Sequence, residues 1–172
     1  MPLDLISLDI SISVDGWFTD ACRTYLVKDL KKELEIDNKI CNLTNVAFMS
    51  TEMAIDVVRP LVPLYALSAV SESVVANAPV KCRVIKNFTG HFIGRKLHEQ
   101  PFIEPYINLD DINYQQLKIG DTFTIEPLVK LGTSTDFRVL EDGWSIQSVD
   151  GLPSAQHEQT ILVTEDGYEV LT

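Results

Sequence analysis

The chain has 172 residues, 45% of them hydrophobic, which is enough for one domain with a sizeable core and short for two. Lysine and arginine total 14 against 25 aspartates and glutamates, and a formal charge of -11 argues against a surface built to neutralise phosphate, so nucleic acid is not an expected partner. Three cysteines without a C-x-x-C pair indicate neither a disulfide framework nor a zinc ribbon, and no basic leader or apolar run of ~18 residues is present, so a soluble, cytoplasmic protein off the membrane is expected.

Residues 5–27 read as two strands joined at Asp15-Gly16, a pair that tolerates positive φ. With that pair as the loop, Val14 faces Trp17, Ser11 faces Asp20 and Asp9 faces Cys22. Leu8, Ile10, Ile12, Val14, Trp17, Thr19 and Ala21 then share one face. Ser7, Asp9, Ser11, Ser13, Phe18, Asp20 and Cys22 share the other. Asp9 and Asp20 become diagonal neighbours, with Cα atoms roughly 7–8 Å apart. On a solvent face they would be screened; aspartate is nevertheless a poor strand former, and a divalent cation would turn their repulsion into ligation.

The polar stretch "KDLKKELEIDNK" is expected to be a connection with some helix. Between Thr44 and Arg59, Val46, Met49, Met53 and Val57 fall at helical spacing, and Pro60 ends the run. A second helix begins near Pro63, with Leu67, Val70 and Val74 on one face before Pro79. "VKCRVIKNF" alternates as a strand, "TGHFIGRKLHEQP" reads as a glycine-punctuated loop, and "GDTFTIEPLVKLG", "GWSIQSV" and "QTILVTEDGYEVLT" as further strands. Two helices beside a mainly antiparallel sheet make an α+β domain. No repeat or linker marks a boundary, so residues 1–172 are read as one domain.

The remaining candidate ligands lie far apart in the chain. His91 and His98 fall in the glycine-punctuated loop, where each alone reads equally as an ordinary hydrogen-bonded histidine. Gly90 and Gly94 would allow a close approach to His91. Glu126 sits in a strand-like apolar run and Glu158 at the start of the penultimate strand, where a lone carboxylate either faces water or is costly to bury. Together with the two aspartates these are hard ligands suited to a pair of divalent ions, although spacing alone does not bring them together.

The motifs do more. "LISLDISISVDGWFTDACRTYLV", "GHFIGRKLHEQPFI", "LKIGDTFTIEPLV" and "DGWSIQSVDGLPSAQHEQTILVTEDGYEVLT" resemble, in order, segments of the type I methionine aminopeptidases of the pita-bread fold. The resemblance covers nearly all of the chain but only the later two-thirds or so of a usual member. It implies metal ligation by Asp9, Asp20, His91, Glu126 and Glu158, with Asp20 and Glu158 bridging two divalent ions (Co, Mn, Fe or Zn). Glu126 is implied as the proton acceptor and donor, and His98 as the substrate contact. The implied reaction is metal-dependent removal of N-terminal methionine from peptides and nascent proteins, with the ribosome as a candidate partner.

A non-catalytic pita-bread protein binding peptides, the ribosome or another chain is the alternative; members without activity generally lose ligands, and all five positions stand here. Departures are Phe92, where the histidine-ligand motif usually carries glycine, and Gln159, where the family often has histidine. The early family segment, with its helices, first strands and much of the methionine pocket, has no counterpart. Exposed apolar surface, and with it an oligomer or a partner chain, is therefore expected.

Overall fold

The computed structural model describes residues 4–27 and 38–172. The stretch "KDLKKELEIDNK" lies almost wholly outside them. Among the described residues, eleven strands and two helices follow one another: β1 (Leu5–Val14), β2 (Trp17–Leu26), α1 (Asn38–Ile55), α2 (Leu64–Ala76), β3 (Cys82–Val84), β4 (Gly90–Phe92), β5 (Glu99–Ile103), β6 (Thr122–Ile125), β7 (Leu128–Leu131), β8 (Phe137–Val139), β9 (Ile146–Ser148), β10 (Ser154–Val163) and β11 (Tyr168–Val170). The main sheet runs β1-β2-β10-β6-β4-β5, and every pairing in it is antiparallel.

The turn at Asp15 (φ 52°) and Gly16 (φ 77°) holds both central residues in the left-handed region and fixes the hairpin register. Val14 pairs with Trp17, Ser11 with Asp20 and Asp9 with Cys22, as the sequence predicts.

β10 is the centre of the sheet. One edge pairs with β2 and β11, the other with β7 and then β6. Its side chains alternate strictly. Ala155, His157, Ile161 and Val163 face the helices: the His157 ring packs on Phe48 of α1 at 5.0 Å, and the Thr51 hydroxyl of α1 donates to His157 O at 2.7 Å. Glu158 points to the opposite face.

Two apolar clusters fill the helix side. One joins Ala54, Ile55, Leu64 and Leu67 to Phe123, Ile125, Ile161 and Val163; the other joins Leu43, Val46, Ala47 and Val75 to Cys82, Val129, Leu131 and Ala155. The helix faces differ from those expected. α1 starts six residues earlier than Thr44 and stops before Val57; Met53 is exposed, and the buried stripe runs through Ala47, Ser50, Thr51 and Ala54. Small hydroxyl residues serve here because the helices pack closely: Ser50 Oγ lies 2.7 Å from Ser71 Oγ of α2. Apolar spacing cannot register such residues.

Three strand expectations also change. "TGHFIGRKLHEQP" contributes β4 and β5 instead of a loop alone. Gly90 permits this, since a Cβ there would meet Thr124 O at 2.4 Å. "GDTFTIEPLVKLG" is broken at Glu126-Pro127, where proline lacks the N–H for the ladder. β10 begins at Ser154, so Glu158 lies mid-strand instead of at its start.

The hairpin is reversed relative to ordinary half-buried sheets. His157 pairs with Arg23, which puts the Ile6, Leu8, Ile10, Ile12, Val14 and Trp17 row on the helix side of the sheet. No helix among the described residues covers it, and all six are exposed. The buried members of the hairpin are Asp20 and Cys22, on the other face.

Candidate metal centre

The face opposite the helices gathers the candidate ligands from four strands. Glu158 pairs with Cys22, and Cys22 with Asp9, so Asp9, Cys22 and Glu158 form one rung across β1, β2 and β10. Gln156 pairs with Leu128 and Gln159 with Ile125, and that register carried through the Pro127 break sets Glu126 across from Glu158. Two residues along β2, Asp20 occupies the next rung, where Thr160 Oγ1 accepts its N–H and donates to its carbonyl. Thr124 Oγ1 accepts the His91 N–H at 3.0 Å and donates to Glu126 Oε1 at 2.7 Å.

Donor atoms of Asp20, His91 and Glu158 lie within 4.8 Å of one another. Glu126 Oε1 is 3.4 Å from His91 Nε2. Asp9 stands at the exposed rim of the rung, outside that triad but close enough to act electrostatically on Glu126 and Glu158. His98 is exposed, its ring set edge-on to His91 at 4.4 Å. The loop between them is tied to the hairpin tip: Phe18 N–H donates to Gly94 O at 2.9 Å, and Arg95 lies 3.9 Å over the Trp17 ring and donates to Asp15 O.

The electrostatics are those of a cation site. Burial, followed by the charges of Glu126, Asp20 and Asp9, pushes the Glu158 carboxyl up to about 10. Burial likewise carries Glu126 to about 8, with Asp20 and Asp9 adding to the rise against hydrogen bonds from Thr124 and Gln156. Asp9 is raised by burial and by Asp20. Burial lowers His91, keeping the imidazole neutral and able to donate a lone pair. No lysine or arginine among the described residues pairs with any of these carboxylates, and Glu158, 3% exposed, leaves Oε1 without a hydrogen bond. A buried carboxylate cluster of this kind is stabilised by divalent cations, and the donor set fits them.

Of the expected site residues, Asp20, His91, Glu126 and Glu158 converge, while Asp9 and His98 border them. Phe92 does not crowd the site: next to His91 on β4, it faces the helix side, where its ring stacks on that of its pairing partner Phe123 at 5.5 Å. The sequence reading missed the supporting residues Thr124, Thr160 and Gln156. Their signal is the two-residue spacing of Thr124, Gln156 and Thr160 from Glu126 and Glu158, which places them on the same face.

The chain is similar to known methionine aminopeptidases. The methionine aminopeptidase of Chlamydia muridarum is 34% identical over 169 residues, 98% of this chain and 54% of its own length. That of Escherichia coli K12 is 32% identical over 98% of this chain and 60% of its own. The crystal structure of the Thermotoga maritima methionine aminopeptidase superposes with a TM-score of 0.88 at 35% identity, covering 99% of this chain and 64% of that one. The α+β sheet is thus that of the pita-bread fold. The chain spans a little over half the length of these curated relatives. Residues 2–165 match the profile of metallopeptidase family M24, a stretch that contains all five carboxylate and imidazole candidates, and the chain belongs to that family.

Proposed function

We propose that this chain removes N-terminal methionine from peptides and nascent proteins in the cytoplasm, by hydrolysis in one domain spanning residues 1–172. The observation that carries this reading is the convergence of Asp20, His91 and Glu158, with Glu126 against His91. Asp9, Asp20, His91, Glu126 and Glu158 would hold two divalent ions; oxygen and imidazole donors suit Mn, Co, Fe or Zn. Such ions lower the pKa of water and polarise the scissile carbonyl.

Glu126 takes the proton of the attacking water and passes it to the leaving amine. His98, exposed beside His91, hydrogen-bonds the substrate and the charge developing on its carbonyl oxygen. The apolar row of the β1–β2 hairpin is the surface on which a partner chain or a second copy packs.

The test is methionine release from a short Met-Ala peptide by the chain loaded with Mn or Co. Release is expected, and Glu126→Gln should abolish it while metal stays bound. A metal-loaded chain that leaves the peptide intact, or release indifferent to Glu126→Gln, would overturn the reading.

A further inference from the structure

A cavity of about 390 Å³ opens at the edge of the sheet opposite the hairpin, between β5, the start of α2 and residues 104–113, with none of the metal-ligand candidates in its wall. That volume suits a small molecule or an inserted side chain. Its charge is all of one sign: Glu104 and Asp111 line it, and no lysine, arginine or histidine among the described residues does. The Glu104 carboxylate is held in place, since Tyr106 Oη donates to Oε1 at 3.4 Å and Asn108 Nδ2 donates to the same oxygen at 3.2 Å. Oε2 accepts no hydrogen bond from the described residues. Ser68 supplies an independent sign of a ligand. It is 6% exposed and lines the cavity, and its hydroxyl makes no hydrogen bond among the described residues, although a buried polar group without a partner is costly.

Aromatic rings complete the wall. Tyr65 is set edge-on against Tyr114 at 5.4 Å, and Tyr106 already holds one cation, the Lys86 ammonium 4.4 Å from its ring centroid; Lys86 itself is not part of the wall. Ring faces attract cations, and more strongly where water is scarce. An anion in this cavity would meet two carboxylates, and a purely apolar ligand would shut the Ser68 hydroxyl and Glu104 Oε2 away from water unpaired. A primary ammonium satisfies them all, because its three N–H donors match separate acceptors on Glu104, Asp111 and Ser68. We propose that this cavity binds a primary ammonium on an aliphatic stem, the group carried by a lysine side chain of a peptide and by the end of a free polyamine. The site shares no residue with the metal centre, so it stands or falls separately.

The test uses the full chain, stripped of metal and held at about 0.15 M salt, where exposed charges are screened. N-acetyl-lysine methylamide, its norleucine analogue without the ammonium, and spermidine are titrated in turn, with binding followed by ligand-observed NMR. The lysine derivative and spermidine should bind saturably, the norleucine analogue about ten-fold more weakly or worse, and the tighter of the first two names the source of the ammonium. Glu104→Gln and Asp111→Asn should each weaken lysine binding by about ten-fold, whereas Glu165→Gln, the same charge change at an exposed position outside the wall, should leave it as it is. Asp111 is exposed, so its variant reports on the site even if Glu104→Gln disturbs the 104–108 segment. Norleucine binding as tight as lysine, affinity indifferent to both wall variants, or an equal loss in Glu165→Gln would overturn the proposal and leave the metal-centre reading untouched.

Discussion

Glu158→Gln should stabilise the metal-free protein, and by an amount that depends on pH. In the folded chain the Glu158 carboxyl titrates near about 10, against an ordinary 4.5, chiefly because it is buried beside three other acids. Below pH 4.5 it is protonated in both folded and unfolded chains and exerts no drag. Above that, the unfolded chain ionises while the folded one holds its proton, so stability is lost as pH rises, and the loss levels off only above pH 10. Each unit is worth about 1.4 kcal/mol, so at pH 7 the penalty is on the order of 3 kcal/mol. Glutamine has nearly the shape of protonated glutamate and never ionises. Urea denaturation in EDTA should therefore show the variant more stable by up to about 3 kcal/mol at pH 7, with the gap closing near pH 4.5. With added divalent metal the order should invert, because only the wild type gains ligation energy. A variant less stable than wild type at pH 7 in EDTA, or a gap independent of pH, would refute the reasoning.

Other expectations follow from the same geometry. Divalent metal affinity, measured by titration calorimetry, should rise with pH from 6 toward 8 and be accompanied by proton release, because Glu126, raised to about 8, must give up its proton to ligate; a flat profile would contradict this. Thr51→Val removes the hydroxyl that joins α1 to the His157 carbonyl and should cost about 1–3 kcal/mol in denaturant, with little change in overall shape. Gly90→Ala drives a methyl to 2.4 Å from Thr124 O, so it should separate β4 from β6, weaken the fold and lower metal affinity together; an unchanged melting temperature would be inconsistent with the register. Ile10→Lys, on the exposed row, should leave the stability of the isolated protomer within about 0.5 kcal/mol while shifting sedimentation toward smaller species.

The hairpin was the most legible part of the fold because Asp15-Gly16 leaves one register open, and that register alone makes Asp9 and Asp20 neighbours. Which face is buried was not legible. Alternation separates two sets of side chains but carries no information about which set the rest of the chain covers. The helices were found by spacing, yet their inward stripes were offset, because Ser50, Thr51 and Ser71 pack through hydroxyl contacts that hydrophobic periodicity overlooks. β10 was shortened at its start because Ser154, Gln156 and Glu158 face the polar site and break the apolar run. The site itself, spread from β1 to β10, was brought together only by resemblance. Local pattern cannot reveal that Thr160 holds Asp20 or that Thr124 joins His91 to Glu126.

The position of β10 also sets when the site can come into being. The hairpin closes through neighbouring residues, whereas Asp20 meets Thr160 across 140 residues of chain. Contacts so distant in sequence form late and slowly compared with local ones. An intermediate lacking β10 would carry Asp9 and Asp20 on a solvent-washed ribbon with neither Glu158 nor the strand that links it to Glu126. Metal retention is therefore a clock for the final folding step: an ion that dissociates quickly marks chains whose central strand has not docked, and a slowly exchanging one marks those in which it has.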